Sequence, residues 1–172
     1  MKANIQEIRT FDTVIPFLEK RTLIVCDVDY TLVDYGKPFA HFLKGVQEAE
    51  AYKAYDDYIL VHEPRHTDPA GFIRLMKEVL HTDSHLIFVT ARPSPWEGFT
   101  RKEFTSLNLD YDFFEVYYLN GQCKAEFCQG YIKGTNKEKG FEQVFLIDDY
   151  KKNIQAFQDL MPGSRTFLFR CE

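Results

Sequence analysis

Leu23-Ile24-Val25-Cys26-Asp27-Val28-Asp29-Tyr30-Thr31 decides how this chain is read. Its first four residues are apolar without alternation, the pattern of a strand buried on both faces. The run stops at Asp27, and a second carboxylate follows two residues later at Asp29. Two further runs end in the same manner. His85-Leu86-Ile87-Phe88-Val89 leads into Thr90, and Val144-Phe145-Leu146-Ile147 leads into Asp148-Asp149. If the three strands are parallel, these polar residues meet at one sheet edge, where open α/β sheets bind ligands.

Working outward, apolar spacing predicts a first helix over 4–20, disturbed near Pro16, ahead of strand 22–27. Asp68-Pro69 reads as an N-cap with proline at the first helical position, opening a helix to Leu80. A strand follows at 86–90. Ser94-Pro95-Trp96-Glu97 has capping-box spacing and opens a helix to about Leu107. Strands over about 114–119 and over 144–148, a helix at 151–160 and a strand at 165–169 complete the alternation. This pattern predicts one α/β domain over 1–172, a central parallel sheet of about five strands flanked by helices. Residues 34–66 fit this alternation poorly and are partly helical from Ala40 to Tyr58, with Tyr52, Tyr55 and Tyr58 together on a helical surface. Residues 120–140 read as loop plus one short helix.

Composition narrows the function. The chain has 172 residues and a net charge of −5, with no basic stripe, which argues against a nucleic-acid partner. No apolar run suits a signal peptide or a bilayer span, and the four cysteines read as reduced thiols, so a cytoplasmic setting is expected. Neither Cys123 nor Cys128 has an arginine at C-x₅-R spacing, which disfavours a cysteine-nucleophile phosphatase.

The sequence D-x-D-x-T, then a Thr, a Lys and an Asp pair resembles the four-motif signature of the haloacid-dehalogenase-like (HAD) phosphotransferase superfamily. The resemblance implies a Rossmann-like core with strand 22–27 in the middle, little or no cap beyond a small lid element in the insertion at 34–66, and Mg²⁺-dependent phosphoryl transfer through an aspartyl phosphate. Asp27 would be the nucleophile, and Asp29 the acid that protonates the leaving oxygen and later deprotonates water. Thr90 would bond a phosphoryl oxygen. Asp27, Asp29 (through its backbone carbonyl) and Asp148 would hold Mg²⁺, with Asp149 acting through water or orienting the lysine. Arg92 is read either as a bidentate donor to a phosphate or substrate acid, or as a solvated loop charge.

The motif lysine has three candidates. Tyr131-Ile132-Lys133-Gly134 resembles the Tyr-(Ile/Val)-Lys-Asp arrangement of the small C-terminal-domain phosphatases, with Gly in place of Asp, and this favours Lys133. A Lys-Gly pair opening a helix keeps Lys139-Gly140 and the neighbouring Lys137 open.

The opening segment, Ile5 to Asp12 ahead of 23–32, resembles a bacterial HAD family that includes effector phosphatases delivered into host cells, some with tyrosine-phosphatase character. A phosphotyrosyl protein is the substrate this implies, acted on in a bacterial or host cytoplasm. A small sugar or nucleotide phosphate is the alternative, and a non-catalytic HAD-fold binding module a third reading.

Overall fold

The computed structural model describes residues 5–37 and 39–171, leaving aside the side chains of residues 40 and 136–138. The described residues open not with a helix but with a short edge strand, β1 (Gln6–Ile8), followed by two 3₁₀ turns at Phe11–Thr13 and Ile15–Phe17. The predicted helix over 4–20 is therefore corrected. Its apolar spacing is real, because Ile8, Phe11 and Val14 are all buried. Ile8 is buried from a strand, however, and Phe11 and Val14 from the first tight turn and its end. Thr10 is extended, and Pro16 removes a backbone donor where a helix would need one.

The core follows as β2 (Thr22–Cys26), β3 (Val33–Asp34), α1 (Phe39–Phe42), α2 (Glu48–Ile59), β4 (Arg65–His66), α3 (Pro69–His81) and β5 (His85–Thr90). Then come α4 (Glu97–Ser106), β6 (Glu115–Tyr118), α5 (Lys124–Lys139), β7 (Gln143–Asp148), α6 (Lys151–Leu160) and β8 (Arg165–Phe169). Six strands form one parallel sheet in the order β1-β8-β7-β2-β5-β6, so β1 adds a sixth strand to the expected five. As expected, the strand carrying the Asp27 motif lies inside the sheet, between β7 and β5.

Alternation along β2 feeds two cores. Ile24 and Cys26 join Phe88, Phe145 and Ile147 against Phe72, Leu75 and Val79 of α3 and Phe104 of α4. Leu23 and Val25 join Ile87, Val89 and Leu146 against Ala125 and Cys128 of α5 and Ile154 and Phe157 of α6. The Asp68 side chain caps α3 by accepting from the Gly71 N–H at 3.0 Å. The insertion is tied down by β3 and β4, paired antiparallel, and α2 buries Ala51, Tyr55 and Ile59. Tyr55 is thus largely buried and not an open member of the expected tyrosine surface.

Residues 124–139 are one 16-residue helix and not mostly loop. Gly130 and Gly134, which suggest breaks in the sequence, face open space on this helix and meet no neighbouring atoms. Their cost of about 1 kcal/mol each relative to alanine is met by packing along the Ala125–Cys128 face.

A polar cluster fastens α5 to the sheet. Glu115 accepts from Lys139 Nζ at 3.0 Å, Tyr117 Oη at 2.6 Å and Tyr131 Oη at 3.1 Å, and lies 2.8 Å from His85 Nε2. Burial opposes its charge, yet these donors hold the Glu115 carboxyl down at about 2. A depressed carboxyl contributes stability above its unfolded pKa and loses it as pH falls toward the folded value. Denaturant melts of wild type and Glu115→Gln should therefore differ by a constant amount above about pH 5. The difference should shrink toward zero near pH 2.

Candidate active site

Asp27 follows β2 directly. Its N–H donates to the Ile147 carbonyl at 2.9 Å, so pairing with β7 continues one residue past the strand and sets Asp27 beside Asp148. The chain then turns sharply. Leu32 and Val33 N–H both donate to the Val28 carbonyl at 2.9 Å, with Tyr30 in the left-handed region at φ 55°. That conformation is costly for a bulky residue and is held by burial of the Tyr30 ring against Tyr35 and Tyr55.

The cation at the Asp27 site is Lys124. Its Nζ lies 2.5 Å from Asp27 Oδ1 and 2.7 Å from Asp148 Oδ2, and all three side chains are buried. Lys124 is the first residue of α5. The loop before it is aimed by backbone bonds from Leu119 to Thr90 at 2.9 Å and from Gly121 to Ala91 at 2.9 Å. Asn120 and Gly121 there take positive φ, 51° and 76°.

Neither described lysine candidate reaches this site. Lys133 lines a cavity of about 670 Å³ with Gln143 and Arg165, at the start of β7 and β8, the opposite sheet edge from Asp27. Lys139 is engaged with Glu115 and, at 2.9 Å, with His85 at the start of β5. The Lys137 side chain lies outside the described residues. The preference for Lys133 is thus corrected on geometry. Nine residues of helix separate it from Lys124, about 14 Å along the axis.

Burial drives the Asp27 carboxyl up to about 7, against the pull of Lys124 and with the push of Asp148. Burial, then Asp148 and Asp27, drive Asp149 well above the carboxylate range as well. Lys124 keeps its proton because Asp148 and Asp27 outweigh the burial that opposes its charge. Asp148 is saturated: besides Lys124, it accepts from the Tyr150 N–H at 2.8 Å and the Asn153 amide at 3.1 Å. Among the described residues none donates to the Asp149 carboxylate.

Carboxylate oxygens of Asp27, Asp148 and Asp149 lie within 4.8 Å of one another. Three acids share one lysine, and two of them are held toward neutrality by repulsion and burial. This donor set fits a hard divalent cation with oxygen ligands. Asp149, expected at second remove, is the carboxylate with free oxygens, whereas Asp148 spends its own on Lys124 and the start of α6.

Thr90 closes β5 fully buried. Its hydroxyl oxygen accepts from the Arg92 N–H at 3.2 Å, which leaves the hydroxyl proton to donate. Arg92 is neither a solvated loop charge nor a free phosphate donor. It is buried, and all five guanidinium N–H groups are taken. Two go to Asp29, at 2.7 and 3.1 Å. One goes to Thr100 Oγ1 at 2.8 Å, one to Tyr35 Oη at 2.7 Å, and the last to Glu103. Beside this group opens a cavity of about 240 Å³ lined by Asp29, Tyr52, Tyr55, Asp56, Arg92 and Asn120, among others.

The site therefore sits where three parallel strands end, with two carboxylates spaced two residues apart, a buried lysine and an acid pair. Solved structures share the fold that carries this site. The HAD domain of the effector protein Lem4 from Legionella pneumophila matches with a TM-score of 0.51 at 14% identity, covering 90% of this chain and 87% of that one. The chain has the HAD fold. An inactive mutant of the Lem4 HAD domain matches at 0.50, also at 14% identity, over 90% of this chain and 86% of the other. A class C acid phosphatase from Bacillus anthracis, with tungstate bound, matches at 0.49 and 17% identity over 92% and 70% of the two chains. At these identities the likeness to the HAD domains is one of fold alone. No protein-family model and no curated protein sequence matches the chain. Among the described residues no helix is long and apolar enough to cross a membrane.

Proposed function

We propose that this chain is a Mg²⁺-dependent phosphomonoester hydrolase working through an aspartyl phosphate on Asp27. The observation that carries the reading is the Lys124 bridge between Asp27 and Asp148, with a carboxylate oxygen of Asp149 within 4.8 Å of theirs. A carboxylate nucleophile attacking a phosphate dianion needs concentrated positive charge to overcome repulsion. Lys124 supplies one unit of it. Asp27, Asp149 and the Asp29 backbone carbonyl would hold Mg²⁺, with Asp148 close by. The bound ion would supply the remaining charge on the phosphoryl oxygens.

Asp27 Oδ attacks phosphorus, and the ester oxygen leaves with a proton delivered by Asp29. Thr90 Oγ1 and Lys124 Nζ donate to the phosphoryl oxygens. Asp29 then takes a proton from water, which splits the aspartyl phosphate and frees Asp27. Inorganic phosphate is released.

For the substrate, the small insertion and the cavity with Tyr52 and Tyr55 in its wall support a phosphate carried on an aromatic side chain of a protein, that is, phosphotyrosine. A small phosphomonoester is the alternative. The place of action in this reading is a cytoplasm, that of a bacterium or of a host cell into which the protein is delivered as an effector. Phosphate release from phosphotyrosine and phosphoserine peptides and from small esters, with Mg²⁺ and with EDTA, tests the reading. Mg²⁺-dependent release led by phosphotyrosine is expected. Release confined to small esters would move the substrate to that class, and no release from folded protein would leave a binding module.

A further inference from the structure

We propose that Tyr35 and Glu103 are positioning residues for Asp29, acting through Arg92, and that through Tyr35 the insertion contributes to the hold on the catalytic acid. The proposal rests on the phosphomonoesterase reading. Four separate parts of the chain meet here: Asp29 after β2, Tyr35 after β3, Arg92 after β5 and Glu103 within α4. Arg92 and Glu103 have side chains only 3% exposed, and Asp29 only 15%. The guanidinium forks onto both oxygens of Asp29 and fixes the plane of that carboxylate.

The other side of Arg92 is held just as fully. Glu103 accepts one N–H, and Thr100 accepts another at 2.8 Å. The Tyr35 hydroxyl accepts a third at 2.7 Å and donates its own proton to Glu103. Tyr35 therefore joins the cation to the second carboxylate, and with it removed one guanidinium N–H and one Glu103 oxygen lose their partner. Burial and the nearby Asp29 push the Glu103 carboxyl up to about 9, and a buried cation held between two such carboxyl groups is stable only when every donor and acceptor is met.

Tyr35 belongs to the insertion, and α2 grips it from behind. The Tyr58 hydroxyl donates to the Tyr35 backbone carbonyl at 2.7 Å, and the Tyr35 ring packs on Tyr30 at 6.1 Å. Through Tyr35 the insertion thus contributes directly to the hold on Asp29.

Tyr35→Phe removes one hydroxyl and keeps the ring, and Glu103→Gln keeps the shape and replaces the carboxyl group by an amide. Both are assayed with Mg²⁺ on two esters, para-nitrophenyl phosphate and glycerol 2-phosphate. The nitrophenolate leaves readily without a proton, whereas the alkyl ester depends on the proton from Asp29. Misaiming that acid should lower kcat/KM, which reports formation of the aspartyl phosphate and not its later hydrolysis, by about 10-fold to 100-fold on the alkyl ester. On the same measure the aryl ester should lose less than about threefold, and Asp29→Asn should show the same imbalance more strongly. Unequal loss on the two esters supports the proposal. Equal loss, or none, in folded variants of an active wild type overturns it and leaves the phosphatase reading in place. A wild type that turns over neither ester overturns both.

Discussion

Asp27→Asn should abolish turnover, by at least about four orders of magnitude in kcat, while the protein stays folded. Asparagine keeps the volume of the side chain and its contact with Lys124, but its amide cannot form the aspartyl phosphate. The Lys124–Asp148 ion pair at 2.7 Å survives the change. Burial and the neighbouring acids hold Asp27 up to about 7 in the folded chain. The unfolded value is near 4, so the metal-free folded state binds the extra proton between about pH 4 and 7. Stability of metal-free wild type should accordingly fall as pH rises through that window. Asp27→Asn should make this slope shallower, with Asp149 keeping part of it, and denaturant melts across pH 4 to 8 check it. Full activity in the variant would remove Asp27 from the role of nucleophile.

Lys124→Met should be the most damaging single change to the site's architecture. It leaves Asp27, Asp148 and Asp149 together without a cation. Breaking a buried ion pair from one side costs about 3–5 kcal/mol, which for a chain of this length lowers Tm by about 6–20 °C. Mg²⁺ should recover part of that loss, because a bound cation replaces some of the missing charge, while activity stays lost. Lys133→Ala should leave stability within about 0.5 kcal/mol and kcat within about twofold, since Lys133 sits at the far edge of the sheet. Thermal melts with and without Mg²⁺, read beside turnover, separate the two lysines. The opposite ranking would move the motif lysine back to Lys133.

These two residues also show what was legible in the sequence. Asp27, Asp29, Thr90, Asp148 and Asp149 announce themselves because each follows an unbroken apolar run, and a buried parallel strand is the simplest reading of such a run. Lys124 carries no such marker. It sits at the start of a helix whose two glycines and polar stretches imitate a loop. The sharper signal is the turn at Asn120-Gly121, which launches the helix and fixes its first residue under the β5 and β7 ends. Arg92 was visible as a charge near the site, but its engagement was not. Tyr35 and Glu103 come from elements far apart in sequence, and only tertiary packing brings them to it. The edge strand β1 was hidden for a related reason. Residues spaced three apart satisfy a helix, and a short strand followed by 3₁₀ turns buries them equally well.

The central claim is that Asp27 itself receives the phosphoryl group. Single-turnover reaction with a phosphate-labelled ester, quenched in acid and mapped by peptide, tests it most directly. Asp29→Asn is the useful background, because slowed attack by water lets the intermediate accumulate. The account predicts an acyl phosphate, labile to hydroxylamine, on the peptide that carries Asp27. Label on another residue, or release of phosphate with no protein-bound label at any time, would contradict it.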